Sequence, residues 1–185
     1  MKEKDSSASW QRSRSEYGPD LKLFRVRFDW MINPRNQHEE KMILLEGGDS
    51  VQIIAENDQR EILLIRQYRF GLADYIYELP GGLIDPGEEP AVAALRELLE
   101  ETGFEAAEWR LLGNNPSNPV FMEAHLYHFA ATGLTEVGGR QLDDGEDIHW
   151  ELRPREEVKQ MLLQGQFRHP HTVCGLLAYF AQEFG

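Results

Sequence analysis

The sequence predicts an α/β fold, a mixed sheet with helices on its faces, in one domain that follows a polar N-terminal arm. The chain has 185 residues, the length of one ordinary domain with a core of its own. Short apolar runs bounded by turn residues predict several strands, and a longer run with apolar residues three and four apart predicts a central helix. Two more helical segments follow near the C-terminus, and this mixture favours a sheet covered by helices.

The first 19 residues differ in composition from the rest of the chain. Residues 1–19 are rich in Lys, Ser, Arg and Asp, with only isolated apolar residues. Such a segment buries too little apolar surface to order itself. We therefore predict a mobile arm over residues 1–19 and a single domain over residues 20–185.

Strands are predicted where apolar and polar residues alternate or where a short apolar run lies between turns. They cover residues 21–28, 41–46, 51–55, 61–67, 109–112, 121–131 and 148–152. Asn57 and Asp58 separate the third strand from the fourth, which predicts a hairpin. Helices are predicted over about residues 88–102, 154–163 and 172–183.

The central helix is the best defined of these elements. Pro90 suits its first turn, where the missing N–H is no loss, and Gly103 suits the position just after its end. Its apolar residues recur at spacings of three and four, which predicts one buried stripe. These residues are Val92, Leu95, Leu98 and Leu99.

Composition narrows the function. The chain has 19 basic and 32 acidic residues, a net charge of −13, which argues against nucleic-acid binding. No apolar run is long enough to span a membrane, and the N-terminus has no apolar signal core. The lone cysteine, Cys174, cannot form an internal disulfide, and its apolar neighbours predict a core position. We expect a cytoplasmic protein without a nucleic-acid or membrane partner.

Three carboxylates cluster on the central helix. Glu97, Glu100 and Glu101 are offset by three and four residues, so they share about 100° of arc. Like charges this close repel one another unless a cation lies among them. Carboxylate oxygens suit hard cations such as Mg²⁺ or Mn²⁺. A solvated helix face is the alternative interpretation of the same three residues.

The residues around this cluster form a longer pattern. The stretch GGLIDPGEEPAVAALRELLEETGF resembles the signature of the Nudix hydrolases: Gly, five residues, Glu, seven residues, then Arg-Glu-apolar-x-Glu-Glu-x-Gly-apolar. Every specified position from Gly82 to Phe104 matches without a gap. The resemblance implies an α/β/α sandwich, a metal site on a loop–helix–loop, and hydrolysis of a nucleoside diphosphate linked to another group.

The resemblance also implies roles for individual residues. Glu97 and Glu101 would hold divalent metal, with Glu100 as a third ligand or the proton acceptor. By the family pattern, the backbone carbonyl of Gly81 is a further ligand. Divalent ions held there would bridge an anionic diphosphate and lower the pKa of a bound water, which reconciles such a substrate with the negative net charge.

Four residues of the pattern are expected to support the site. Arg96 lies about 100° from Glu97 and is expected to brace the carboxylates through hydrogen bonds. Glu88 is expected at the helix N-terminus, where negative charge is favourable. Gly82 and Gly103 complete the set as structural positions.

Residues before the signature indicate a branch of the family. The segment QYR, ending at Arg69, followed by ELPGG, starting at Glu78, resembles the ADP-ribose and nucleotide-sugar diphosphatases. In that branch the Arg contacts the substrate, which makes Arg69 a candidate for a phosphate or terminal-ribose contact. Glu78 is a second candidate. A surface Arg and a structural Glu are the alternative interpretation.

A proline after the signature bears on the substrate. Pro119 falls fifteen residues past Phe104, which also marks the ADP-ribose group. The stretch NNPSNP that ends at Pro119 departs from the Ser-Pro-Gly of many ADP-ribose enzymes. We therefore predict a nucleoside diphosphate sugar as substrate rather than ADP-ribose alone, with a nucleoside monophosphate and a sugar phosphate as products.

An acidic loop, LDDGED over residues 142–147, precedes the last predicted strand. Relatives of this branch place a catalytic carboxylate or an extra metal ligand there. Glu146 matches best and Asp144 second. The general base therefore stays open among Glu146, Asp144 and Glu100.

Other interpretations also stay open. A non-catalytic sensor of ADP-ribose or a nucleotide sugar is one, although its relatives usually have eroded carboxylates. A Nudix enzyme acting on nucleoside triphosphates is another. The branch builds a swapped homodimer from strands near the N-terminus, which implies that role for residues 21–29. Residues 169–172, His-Pro-His-Thr, are interpreted as a turn before the last helix rather than a metal site.

Overall fold

The computed structural model describes residues 9–142 and 144–181, so predictions for residues outside these ranges are not addressed by it. The chain divides into two compact units. The first comprises Met1–Gly48 with Pro116–Ala124, and the second comprises Asp49–Asn115 with His125–Gly185. The prediction of a single domain over residues 20–185 does not anticipate this division, because strand signals do not say which sheet a strand joins.

The first unit is built on a three-stranded antiparallel sheet in the order β1-β2-β3. Its strands are β1 (Gln11–Asp20), β2 (Arg25–Ile32) and β3 (Glu39–Glu46). The predicted mobile arm over residues 1–19 is therefore wrong from Gln11 onward. All but one residue of β1 are exposed, so its sequence carries no apolar alternation, and backbone pairing with β2 orders it instead.

The second unit holds a mixed sheet in the order β6-β5-β4-β8-β7, with β9 paired to β5. The pairing of β4 with β8 is parallel, whereas β5 pairs antiparallel with β6 and with β9. The strands are β4 (Ser50–Glu56), β5 (Glu61–Arg69), β6 (Asp74–Glu78), β7 (Phe104–Pro116), β8 (His125–Glu136) and β9 (Ile148–Pro154).

Helices lie on both faces of this sheet. They are α1 (Pro90–Thr102), α2 (Arg155–Leu163) and α3 (Pro170–Ala181). Ile54 of β4 packs in one apolar core with residues of α2 and α3, and Ile53 packs in a second core with residues of α1. Because neighbouring residues of a strand point to opposite faces, the helices form outer layers around the sheet. The predicted α/β/α sandwich is confirmed. Among the described residues, every helix is too short or too polar to cross a membrane.

The buried face of α1 differs from the predicted stripe. Leu98 is fully buried, but Val92 and Leu95 are 55% and 49% exposed. The buried residues are Ala93, Ala94, Glu97, Leu98, Glu101 and Thr102. The predicted stripe is confirmed at Leu98 and wrong at Val92 and Leu95, because the helix turns small alanines toward the sheet and two carboxylates into the protein.

The last helix begins at Pro170, two residues before its predicted start. Thr172 is fully buried inside it rather than capping a turn. Cys174 is exposed, so its predicted core position is wrong. The buried residues of α3 are Thr172, Gly175, Leu176, Tyr179 and Phe180.

Candidate active site

The loop between β6 and α1 is fixed against β4 by backbone hydrogen bonds. The Val51 amide donates to the Gly82 carbonyl at 2.9 Å, and the Ile53 amide donates to the Pro80 carbonyl at 2.8 Å. A Cβ atom on Gly81 would overlap the Val51 carbonyl and lie 2.9 Å from the Gln52 Cα, so only glycine fits there. Gly81, a predicted metal-binding position, is thereby held at the start of the site.

Glu101 lies beside this loop and is 3% exposed. Its carboxylate accepts a hydrogen bond of 2.8 Å from the Gly81 amide. Burial raises the pKa of Glu101 well above its ordinary value; the Gly81 amide opposes this, and the charges of Glu97 and Glu146 add to it. A carboxylate buried among other carboxylates is stabilised by a cation.

Glu97, one turn earlier on α1, is also buried, at 9% exposure. A Cβ atom on Gly82 would lie only 2.5 Å from the Glu97 carboxyl carbon, so the absence of a side chain at Gly82 makes room for this carboxylate. Burial raises the pKa of Glu97, against the opposing effect of Arg96. Gly82 thus leaves the space that the Glu97 carboxylate occupies, which is in keeping with the supporting role expected for it.

Arg96 ties the start of α1 to the carboxylate cluster. It donates to Glu88 at 3.0 and 2.9 Å, to Glu97 at 2.8 Å and to Glu100 at 3.1 Å. A further bond of 3.0 Å reaches the Leu83 carbonyl. Arg96 thus has the bracing contacts that its position predicted.

Glu88 comes just before the helix, whose N-terminal cap is Glu89. The bonds from Arg96, followed by one from the Asp85 amide, lower the pKa of Glu88 to about 2. Its carboxylate, two residues before the first residue of α1, therefore serves as a partner of Arg96.

The second predicted pair, Arg69 and Glu78, forms one unit at the ends of β5 and β6. Arg69 donates from Nε to Glu78 Oε1 at 2.5 Å and from Nη2 to Oε2 at 2.7 Å. Glu78 is fully buried, whereas the Arg69 side chain is 41% exposed. The bond to Glu78 raises the pKa of Arg69, and the charges of Glu101 and Glu146 act in the same direction. Arg69 is thus a cation on which the charges of Glu101 and Glu146 act.

The loop between β8 and β9, which contains the acidic residues 142–147, is attached to the C-terminal end of α1. Gly103 ends the helix with a φ of 77°, and its carbonyl accepts hydrogen bonds from the amides of Val137 and Gly138 at 2.9 and 3.1 Å. Arg140 donates from Nε to the Glu101 carbonyl at 2.6 Å and also bonds the Ile148 carbonyl. These contacts bring the start of the loop and the start of β9 to the helix end that carries Glu101.

Glu146 is the carboxylate of the acidic loop whose charge acts on the other residues of the site. It is half-buried, and its charge acts on Arg69, Glu97 and Glu101. Asp144 is exposed. The charge of Glu146 thus acts on two of the predicted carboxylates of α1. Pro119 belongs to the first unit.

The donor set of this site fits a hard divalent cation. Two buried carboxylates, Glu97 and Glu101, are accompanied by the half-buried Glu100 and Glu146, and oxygen atoms are the ligands that such cations prefer. Within residues 9–142 and 144–181, no three His, Cys, Asp or Glu side chains are arranged as they are around a bound metal ion. The donor set is suitable but is not arranged around a metal ion, because Glu97 and Glu100 are hydrogen-bonded to Arg96.

Two residues of the site have no signal in the sequence pattern. Arg140 donates its hydrogen bonds to backbone carbonyl groups. Since every residue has such a group, no residue type in the sequence indicates these contacts. His169 lies 3.1 Å from Glu78, although the segment His-Pro-His-Thr predicts a turn. Only the tertiary fold brings the start of α3 to the end of β6.

Comparison with known proteins identifies the class of protein. The model of the NUDIX domain matches residues 48–175. The ADP-ribose pyrophosphatase of Mycobacterium tuberculosis (strain ATCC 25618 / H37Rv) is 33% identical over 165 residues, 88% of this chain and 79% of that protein. The methanol dehydrogenase activator of Bacillus methanolicus is 32% identical over 163 residues, 88% of each chain. A crystal structure of an ADP compounds hydrolase matches with a TM-score of 0.81 at 24% identity, covering 95% of this chain and 93% of that one.

The chain belongs to the Nudix family, which confirms the membership predicted from the signature. It is a Nudix hydrolase, an enzyme acting on pyrophosphate bonds. Nudix hydrolases generally need a divalent metal ion, in keeping with the oxygen-rich donor set described above.

Proposed function

We propose that the protein is a Mg²⁺-dependent diphosphatase that cleaves nucleoside diphosphate sugars to a nucleoside monophosphate and a sugar phosphate. The observation that carries the proposal is the pair of buried carboxylates, Glu97 and Glu101, together with the cation Arg69, on which the charge of Glu101 acts. Carboxylates hold the metal, and a separate cation is available for the anionic substrate. Relatives named ADP-ribose pyrophosphatase support the same substrate class.

The metal would be held by Glu97, Glu100, Glu101 and the Gly81 carbonyl. When bound, Mg²⁺, or Mn²⁺ in its place, supplies positive charge to the diphosphate and makes a water molecule more acidic. The buried Glu101 would keep its carboxylate in place through the Gly81 amide. When the metal binds, Arg96 would lose part of its contacts with Glu97 and Glu100 and would keep those with Glu88.

Arg69 would bind the diphosphate or the adjacent ribose. Its two bonds to Glu78 fix the plane of the guanidinium, and 41% of its side chain stays exposed. A fixed guanidinium binds a phosphate without first losing its own conformational freedom.

Glu146 is the proposed general base, which would take a proton from the attacking water. Its charge acts on both buried carboxylates of α1, which supports this role. Glu100 is half-buried but bonded to Arg96, which makes it the less available base.

The substrate class is tested by phosphate release in the presence of Mg²⁺ and a coupled phosphatase. The panel is ADP-ribose, ADP-glucose, GDP-mannose, UDP-glucose and dGTP. Turnover of one or several sugar nucleotides, with dGTP inert, is the expected result. Turnover confined to dGTP would overturn the substrate class, and binding of a sugar nucleotide without any turnover would favour a sensor.

The metal site is tested with Glu101→Gln. The amide cannot supply an anionic ligand, so kcat is expected to fall at least about 100-fold. Because the change removes a charge buried among like charges, the melting temperature is expected to stay level or rise. The matched control is Glu105→Gln, a change to an exposed Glu just after α1 that is expected to leave kcat unchanged. Full activity in Glu101→Gln would contradict the assigned site.

A homodimer through the N-terminal strands, including residues 21–29, completes the proposal. Among the described residues of the first unit, Val26 and Ala124 are the buried hydrophobic residues, whereas Leu21, Leu23 and Ile43 are more than half exposed. A three-stranded sheet with so little core gains stability from a partner. Light scattering is expected to give about twice the chain mass of 21.4 kDa, and the mass of one chain would contradict the proposal.

The cytoplasm is the proposed location. The one cysteine of the sequence, Cys174, is exposed and free. An exposed free thiol suits a reducing compartment, where it stays unpaired.

A further inference from the structure

His169 lies at the start of α3, directly before Pro170. Its Nδ1 atom is 3.1 Å from Oε2 of Glu78. The Glu78 side chain is 1% exposed, and that of His169 is 27% exposed. The imidazole of His169 therefore contacts a carboxylate that is shielded from water.

The same carboxylate orients Arg69. Oε2 of Glu78 accepts from Arg69 Nη2 at 2.7 Å as well as lying against His169, and Oε1 accepts from Arg69 Nε at 2.5 Å. A buried carboxylate in contact with polar groups on two sides is held in one orientation, whereas one with a single partner can rotate with it. The position of the guanidinium therefore depends on His169 through Glu78.

We propose that His169 is a positioning residue that fixes the Arg69 guanidinium for substrate binding by holding the Glu78 carboxylate from the start of α3. This inference rests on the proposed function, in which Arg69 contacts the substrate. His169 itself is not a catalytic residue, because it acts through Glu78.

The imidazole is held in turn by its own helix. His169 Nδ1 is 3.4 Å from the Thr172 hydroxyl, which accepts from Gln52 Nε2 of β4 at 3.3 Å. The rings of His169 and His171 meet edge to face with centroids 5.0 Å apart. Burial lowers the pKa of His169, with Glu78 opposing and His171 and Arg69 adding, so a neutral ring is favoured at neutral pH.

The test compares His169→Leu with His169→Asn. The leucine removes the ring nitrogen that contacts Glu78, and we expect KM to rise about tenfold with kcat within about twofold, because substrate binding weakens while the metal site is untouched. The asparagine amide nitrogen takes the place of Nδ1, so His169→Asn is expected to restore KM. The Mg²⁺ concentration for half-maximal activity should stay unchanged in both. His38→Asn, at an exposed histidine of the first unit, is the control.

A double-mutant cycle with Arg69→Lys separates this inference from the proposed function. In the Arg69→Lys background, His169→Leu is expected to add nothing further to KM, because the residue it positions is gone. Independent, additive effects of the two changes would overturn the inference, as would an unchanged KM in His169→Leu. If Arg69→Lys alone leaves KM unchanged, the substrate contact in the proposed function fails instead.

Folding is controlled separately. Should His169→Leu fail to fold, Glu78→Gln tests the same link, because the amide keeps the shape and loses the charge that both donors share. It is expected to raise KM like His169→Leu, and an unchanged KM in a folded Glu78→Gln protein would overturn the inference.

Discussion

The residues of α1 are placed for chemistry at a cost in stability. Glu97 and Glu101 are turned inward, whereas Val92 and Leu95 are about half exposed on the same helix. Burying a carboxylate among like charges is unfavourable, as the raised pKa of Glu101 shows. A helix selected for stability alone would bury Val92 and Leu95 and expose these two glutamates. The reversed placement therefore marks a functional site.

Gly82 provides the sharpest test at the scale of one residue. In Gly82→Ala, the new Cβ would overlap the Glu97 carboxylate and push it from its place. Because misplacing a catalytic group by about 1 Å can cost about 100-fold, we expect kcat to fall by about that factor. The requirement for Mg²⁺ should rise at the same time, and both are measured by titrating the metal at saturating substrate.

Gly71→Ala is the matched control for this change. A Cβ atom on Gly71 meets nothing within 4 Å, so kcat and the metal requirement are expected to stay as in the parent. If Gly82→Ala behaved like this control, the Glu97 carboxylate would not be a ligand at its observed position.

At the scale of elements, the predicted and observed structures agree where local signals are strong. Pro90 and Gly103 delimit α1 as predicted, because one fits the first helical turn and the other adopts a positive φ. The short β6, ending at Glu78, lies in a region where no strand was predicted. The strand β1 was missed because it is exposed and polar, and its order comes from a partner strand distant in sequence.

The residues of the candidate site also divide into those with a local sequence signal and those that only the tertiary fold brings to the site. The signature predicted the carboxylates of α1 and the role of Arg96 because these residues lie on one helix at fixed angles. Arg140 and His169 could not be predicted, since they meet the site through loops and a later helix. Which face of α1 is buried also depends on the sheet, and apolar spacing alone gave the wrong face.

The loop between β8 and β9 contains Glu146, the proposed general base. Glu146→Gln is expected to lower kcat about 100-fold or more with little change in KM, because a general base acts in the chemical step. Asp144→Asn is the matched control in the same loop, and it is expected to leave kcat within about twofold, since Asp144 is exposed. Both are measured with the best sugar nucleotide of the panel. A larger loss in Asp144→Asn would move the base assignment to Asp144, and unchanged rates in both would leave Glu100.

On the scale of the whole molecule, acid stability depends on a buried histidine of the second unit. His128 of β8 is 1% exposed, and neither ring nitrogen has a hydrogen-bond partner among the described residues. It lies beside Gln52 in the parallel pairing of β4 with β8, and a Cβ on Gly175 would be 2.8 Å from its Nδ1. Burial, with a smaller effect of the charge on His171, lowers the pKa of His128 from 6.5 to about 4.

This shift fixes the direction of a pH effect on folding. Between about pH 6.5 and pH 4 the unfolded chain binds a proton at His128 and the folded protein does not. The stability that the neutral ring contributes is therefore present above pH 6.5 and is lost as the pH falls toward 4. The expected slope for one such group approaches about 1.4 kcal/mol per pH unit.

His128→Leu removes the titrating group while keeping an apolar side chain of similar size. We expect the free energy of unfolding of the parent to fall relative to that of His128→Leu as the pH is lowered from 7.5 to 5, measured by urea unfolding at several pH values. Other groups with shifted pKa values, such as Glu101 and His169, are present in both proteins and cancel in the difference. His38→Gln, at an exposed histidine, should instead keep a constant difference from the parent. A constant difference for His128→Leu as well would mean that the folded protein accepts a proton at His128 as readily as the unfolded chain does.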